Sequence, residues 1–139
     1  MEEVFNYEFV NGIIERYFDY KYGKYIFEKI NSLDIAENTD LVFPKNLDKT
    51  DSRLELYVFK ANKIYKIFLD EKDEEVVKFK IIKKSDIDSI EFSVNYDNEY
   101  CAKFSGKNHI LDFKFDDVIQ TYELKSNNTI KKIIEYFNE

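Results

Sequence analysis

Four tyrosines fall within nine residues, Tyr17-Phe-Asp-Tyr-Lys-Tyr-Gly-Lys-Tyr25. A helix turns 100° per residue, so these rings cannot all face one side. Tyr17 is in phase with Ile13, Ile14 and Phe18 and should pack inward. Tyr20 is out of phase, and Tyr22 precedes Gly23, where the chain can bend. Exposed rings beside Lys21 and Lys24 would form an amphipathic patch, and tyrosine is a favoured interface residue. Tyr20, Tyr22, Lys21 and Lys24 are therefore the partner-contact candidates, for a protein, a peptide or a second copy of the chain. A basic set, Lys60, Lys63, Lys66, Lys78, Lys80, Lys83 and Lys84, forms a second concentration of chemistry. On the wet face of a strand such lysines keep an edge soluble.

Catalytic chemistry finds little to work with. Cys101 is the single cysteine and His109 the single histidine. A nucleophilic thiol needs a neighbouring base, and Cys101 reads instead as a small strand residue. His109 follows the turn at Gly106 and reads as a strand start. The acidic run Asp70–Glu75, with Asp86 and Asp88 downstream, lacks the Asp-x-Asp-x-Asp-Gly frame of a calcium loop. No catalytic residue, metal site or cofactor is expected, and the chain reads as a non-enzyme.

The elements that position these residues follow from hydrophobic period. Leu54, Leu56 and Val58 alternate with Tyr57 and Phe59, a strand with both faces apolar. Ala61-Asn62 is a two-residue turn, and Tyr65, Ile67 and Leu69 lie in phase beyond it. Val77, Phe79 and Ile81 alternate with lysines, and Ile90, Phe92, Val94 and Tyr96 with polar residues, giving strands with one wet face. Tyr100, Ala102 and Phe104 make a fifth strand, Leu111, Phe113 and Phe115 a sixth, and Gln120–Lys125 a weaker seventh. Ile130, Ile133, Ile134 and Phe137 then sit at helical spacing, with Asn127 or Asn128 as cap. Near the N-terminus, Val10, Ile13, Ile14, Tyr17 and Phe18 predict a helix over about Val4–Tyr20. Tyr25, Ile26, Ile30 and Leu33 predict a second over Lys24–Leu33. Ala36–Ser52 reads as a polar connector whose apolar anchor is Leu41-Val-Phe43 before Pro44.

These strands, and the ending Thr121-Tyr-Glu-Leu-Lys-Ser-Asn-Asn-Thr-Ile-Lys-Lys-Ile-Ile-Glu-Tyr-Phe137, resemble the pleckstrin-homology-type barrel with its bacterial and GRAM-like relatives. The resemblance spans about Arg53 to Phe137. It implies an α+β fold: a seven-stranded antiparallel barrel closed by a C-terminal helix, with the N-terminal helices packed outside. One domain of residues 1–139 is expected, 1–52 being the helical region and connector and 53–139 the barrel. In lipid-binding members, basic residues near the first hairpin hold inositol phosphates. The resemblance thus offers Lys60, Lys63 and Lys66 as anionic-ligand candidates of a membrane-surface or anionic-ligand-binding module, the alternative to a protein or peptide partner.

Composition sets the outer bounds. The chain has 139 residues, 44% hydrophobic, with one Pro and three Gly, so it folds as one globular domain. A net charge of −7 argues against a nucleic-acid partner, which needs a basic footprint. It suits a small acidic immunity or inhibitor protein that meets a basic partner. Lysine far outnumbers arginine, and Ile, Asn and Tyr are abundant, a bias of AT-rich bacterial or phage genomes. Met1-Glu-Glu-Val lacks the basic start of a signal peptide, and no apolar run reaches spanning length. The expected location is cytoplasmic, away from membranes.

Overall fold

The computed structural model describes residues 3–17, 21–47, 53–70, 72–73 and 76–138, except the side chains of 15–17 and 21–25. Helices α1 (Tyr7–Tyr17) and α2 (Lys21–Asn31) come first. Four strands follow, β1 (Leu41–Lys45), β2 (Glu55–Lys60), β3 (Lys63–Leu69) and β4 (Val77–Lys83). A single 3-10 turn, Lys84–Asp86, leads to β5 (Ser89–Val94), β6 (Tyr100–Gly106) and β7 (His109–Lys114). Helix α3 (Glu123–Phe137) closes the chain. The strands form two antiparallel sheets, ordered β1-β2-β3-β4 and β5-β6-β7.

The four-stranded sheet is the middle layer because its central strands are apolar on both sides. Leu56 and Val58 of β2 face Val10, Ile14, Ile26 and Ile30 of α1 and α2. Tyr57 and Phe59 face the other way, onto Phe104, Leu111 and Phe113 of the second sheet and Ile130 and Ile133 of α3. Alternation in one strand therefore feeds two separate cores. The N-terminal helices pack outside the sheets, as their amphipathic stripes require. Asn6 caps α1 by accepting from the Phe9 N–H at 2.8 Å, and Tyr7 Oη donates to Asn31 Oδ1 at 2.5 Å to tie α1 to α2.

Several expectations are corrected. The sheets do not close into a barrel: among the described residues no ladder joins β4 to β5 or β1 to β7. The chain instead turns a sharp corner at residues 84–88, where Gly106 presses on the backbone. A Cβ at Gly106 would lie 2.0 Å from the Asp86 carbonyl oxygen. The strand count of seven holds, but with a different member. Residues 41–45 of the presumed connector form β1, and Pro44 is tolerated there because β1 is an edge strand. Gln120–Lys125 is not a strand: a 3-10 turn at Gln120–Tyr122 runs straight into α3. Its in-phase apolar residue Leu124 is exposed, while Ser126, Thr129, Ile130 and Ile133 make the buried helical stripe. Asn127 is thus internal to α3 and caps nothing. Its side chain accepts from the Tyr100 N–H at 2.7 Å and donates to the Asn98 carbonyl at 2.8 Å.

Two measurements test this architecture. Ile133 is fully buried, so Ile133→Ala should cost about 2–5 kcal/mol in denaturant unfolding, with a smaller loss for half-buried Ile134→Ala. Gly106→Ala should lower stability by roughly 1–3 kcal/mol through overpacking at the corner. An unchanged melting midpoint for Gly106→Ala would mean that the corner is loosely packed.

Candidate functional site

Two features converge beside the β4–β5 corner. The first is a groove of about 550 Å³ between the β2–β3 turn, the end of β4, the start of β5 and the last turn of α3. Ala61 and Asn62 both take positive φ, at 53° and 62°, the geometry of a tight hairpin turn. The Asn62 carbonyl accepts the Lys84 N–H at 2.8 Å, which fastens this turn to the end of β4. Lys63, Lys83 and Lys84 line the groove, with Ile87, Ile90 and Phe137 as its apolar wall.

The strand register explains how the lysines meet. Lys60 lies opposite Lys63, and Lys63 opposite Lys83, in one cross-strand row. Directly opposed residues share a face and interact, and like charges so placed destabilise a sheet. Lys60 is drawn aside, its ammonium donating to the Asp34 carbonyl. Lys84 lays its ammonium 4.4 Å from the centre of the Tyr136 ring, a cation–π contact. Of the three anionic-ligand candidates, the structure puts only Lys63 in the groove. Lys66 lies on the other face of the sheet, 3.4 Å from Glu55, which also accepts from Tyr57 Oη at 2.9 Å. Burial, followed by the Glu55 carboxylate, holds the Tyr57 phenol far above its ordinary range. The missed strand also shifts the hairpin count. Lys60 and Lys63 flank the second hairpin of the fold; the first, β1–β2, turns at the opposite end of β2, about 17 Å away at ~3.4 Å per residue.

The second feature is β5 itself. Ile90, Phe92 and Val94 stand opposite Phe104, Ala102 and Tyr100 of β6. Phe104 and Ala102 are buried, so this row is on the inner face of its sheet. Yet Ile90, Phe92 and Val94 are 39%, 49% and 43% exposed. The expected strand with a buried apolar face is instead an edge strand whose apolar face lies open. Periodicity cannot show this, because a covered and an uncovered apolar row have the same alternation. The facing part of the four-stranded sheet carries Lys80 and Lys78, in register with Lys66 and Phe68.

The remaining candidates are quickly placed. Tyr20, and the side chains of Tyr17, Lys21, Tyr22 and Lys24, lie outside the described residues. Cys101 sits on the outer face of β6, half-buried between Ser93 and Lys114 in the register. Burial, followed by the nearby Asp116 carboxylate, pushes its thiol up. His109 opens β7 opposite Gly106. Asp70 pairs with Lys78 at 3.5 Å and Asp86 with Lys107 at 3.6 Å. Among the described residues no three His, Cys, Asp or Glu side chains gather in a metal-binding set, and no helix is long and apolar enough to cross a membrane. No protein-family model, curated protein or solved structure matches the chain.

A raised thiol pKa leaves less thiolate at neutral pH, and the thiolate is the nucleophile. Alkylation of Cys101 by iodoacetamide at pH 7.5 should therefore be slower than that of a cysteine in an unstructured peptide. Faster alkylation would reveal an activated thiol.

Proposed function

We propose that this chain is a non-enzymatic binding module that takes an extended protein or peptide segment along the open edge of β5. The observation that carries the reading is the exposed inner row Ile90, Phe92 and Val94. An edge strand offers a free row of backbone donors and acceptors for an added strand. The apolar row gives pockets for alternate side chains of that strand, the division of labour seen in strand addition.

Seven strands in two antiparallel sheets, followed by a C-terminal helix, support the pleckstrin-homology-like reading of the scaffold. A cytoplasmic setting belongs with this reading. The net charge of −7 favours a second version of the same function. In it, the module is a small acidic immunity- or inhibitor-type protein whose overall field draws in a basic partner.

Selection from a random peptide library displayed against the protein tests the proposal. Enriched peptides should be extended, with apolar residues at alternate positions, and should protect the amides of β5 from exchange. Phe92→Lys should weaken their binding by about tenfold or more, as loss of a central aromatic anchor does, while leaving the circular dichroism spectrum intact. Peptides that bind Phe92→Lys as well as the parent would sink the β5-edge reading.

A further inference from the structure

We propose that the occupant of the β5 edge is the β5 of a second copy of this chain, paired antiparallel about a twofold axis at Phe92. This pairing rests on the β5-edge reading and names the partner. Asn95 N–H donates to the Glu99 carbonyl at 3.1 Å, so 95 and 99 form a hydrogen-bonded pair of the β5–β6 hairpin. Such pairs alternate with non-hydrogen-bonded ones along an antiparallel ladder. Ser93, Glu91 and Ser89 therefore turn their backbone groups to Cys101, Lys103 and Ser105 of β6. The far side of β6 agrees: Phe115 N–H donates to the Tyr100 carbonyl at 3.1 Å, which turns Tyr100, Ala102 and Phe104 toward β7. The N–H and C=O groups of Ile90, Phe92 and Val94 are left pointing outward, and among the described residues none of them has a partner. The same three residues carry the bare apolar row.

β5 itself meets the specification of the segment that would bind it. It is extended, all six of its residues are exposed, and Ile90, Phe92 and Val94 alternate with Glu91 and Ser93. Being already a strand, it binds without the ordering cost that a loose peptide bears. Pairing rules then choose one register. Apolar residues must lie opposite apolar ones, so a symmetric pair centres on Glu91, Phe92 or Ser93. Centred on Glu91, two carboxylates stand directly opposite in the closer, non-hydrogen-bonded kind of pair, which destabilises a sheet. Centred on Ser93, Ile90 lies opposite Tyr96, beyond the end of the partner strand. Centred on Phe92, Phe92 meets its own copy, Ile90 meets Val94 on both sides, and Glu91 faces Ser93. Every outward N–H and C=O of the three apolar residues then finds a partner across the axis. The two three-stranded sheets become one continuous sheet with a shared apolar row. The net charge of −7 opposes this pairing at long range, but salt screens such repulsion, and Glu91 is the one charged residue of β5.

Sedimentation equilibrium and amide exchange on the full chain test the pairing. The parent should pass from monomer to dimer with a Kd between about 1 μM and 1 mM, as suits a contact at the small end of protein interfaces. Raising the ionic strength from about 0.01 M to about 0.15 M should strengthen the dimer, because screening weakens the repulsion between like-charged copies. Rising concentration should slow exchange of the Ile90, Phe92 and Val94 amides and leave Glu91 and Ser93, already bonded to β6, unchanged. Phe92→Lys, shown to be folded by circular dichroism, sets like charges opposite each other and should weaken the dimer about tenfold or more. Cysteine cross-linking reads the register in a Cys101→Ser background, which removes the thiol opposite position 93. An equimolar mixture of Glu91→Cys and Ser93→Cys chains should form a disulfide-linked dimer under mild oxidation. Neither variant alone should, since like positions then sit more than about 7 Å apart, beyond disulfide reach. Peptides selected for the β5 edge compete with the second copy and should return the dimer to monomer. A chain that stays monomeric across this range while such peptides protect the β5 amides overturns the self-pairing and leaves the β5-edge reading standing. Absence of both dimer and peptide binding overturns both. A dimer that Phe92→Lys leaves intact, or that cross-links through Glu91→Cys alone, also overturns the proposed pairing.

Discussion

The constraint on which everything else depends is that β2 has no wet face. Leu56, Tyr57, Val58 and Phe59 are all buried. Burying an apolar side chain is worth about 1.5–3 kcal/mol, so four in a row on alternating sides demand a cover on each face. The chain meets the demand asymmetrically. Two short helices from the N-terminus cover one side, and a three-stranded sheet with a helix from the C-terminus covers the other. The sandwich cannot be assembled without both ends of the chain. That places residues more than a hundred positions apart in contact: the Phe5 N–H donates to Thr129 Oγ1 at 2.9 Å, and Asn128 Nδ2 donates to the Glu3 carbonyl at 3.0 Å.

Helix α3 is the element that converts this layering into one rigid unit. Its buried stripe supplies Ile130 and Ile133 to the inner core, where Phe43, Tyr57, Phe59, Phe104 and Phe113 meet. The polar groups along it do different work. Thr129 takes the N-terminal segment, and Asn127 takes the turn between β5 and β6 from both sides. Both asparagine bonds go to backbone groups of a turn that would otherwise be held only by its own residues. Of the two buried polar residues of α3, Thr129 is thus satisfied by the segment the helix must position, while Ser126 Oγ has no partner among the described residues.

Much of this was legible in sequence, and the failures have definable causes. The double-faced pattern of Leu54–Phe59 announced a strand buried on both sides, and the Ala61-Asn62 turn was readable because asparagine tolerates positive φ. Leu41–Lys45 escaped because Pro44 removes a donor, a strong argument against a strand everywhere but an edge. Gln120–Lys125 misled because Tyr122 and Leu124 happen to be two apart, while the true helical stripe uses Ser126 and Thr129, polar residues that hydropathy discounts. Of the lysines, the resemblance suggested Lys60, Lys63 and Lys66 as a set. Register divides them: Lys66 faces the other side of the sheet, and Lys83 and Lys84, from the far end of β4, take the vacant places. Such grouping is a property of strand pairing and is invisible to spacing along the chain.

The openness of the sandwich follows from the same arithmetic that closes its core. Three short strands cannot cover all of a four-stranded sheet, and the sharp corner held by Gly106 sends β5 away from β4 instead of alongside it. Of the four edge strands, β1, β4, β5 and β7, the two that flank the corner differ in character. On β4, lysines at 78 and 80 alternate with apolar residues and Lys83 ends the strand, which protects an edge against indiscriminate pairing. On β5 the row Ile90, Phe92 and Val94 has no such guard. On the proposed reading, an added strand is selected by the bare row: its inward side chains must be apolar at alternate positions to match Ile90, Phe92 and Val94. The bare row thus needs no specialised loop to expose it, since it follows from the mismatch in size between two sheets that share one core.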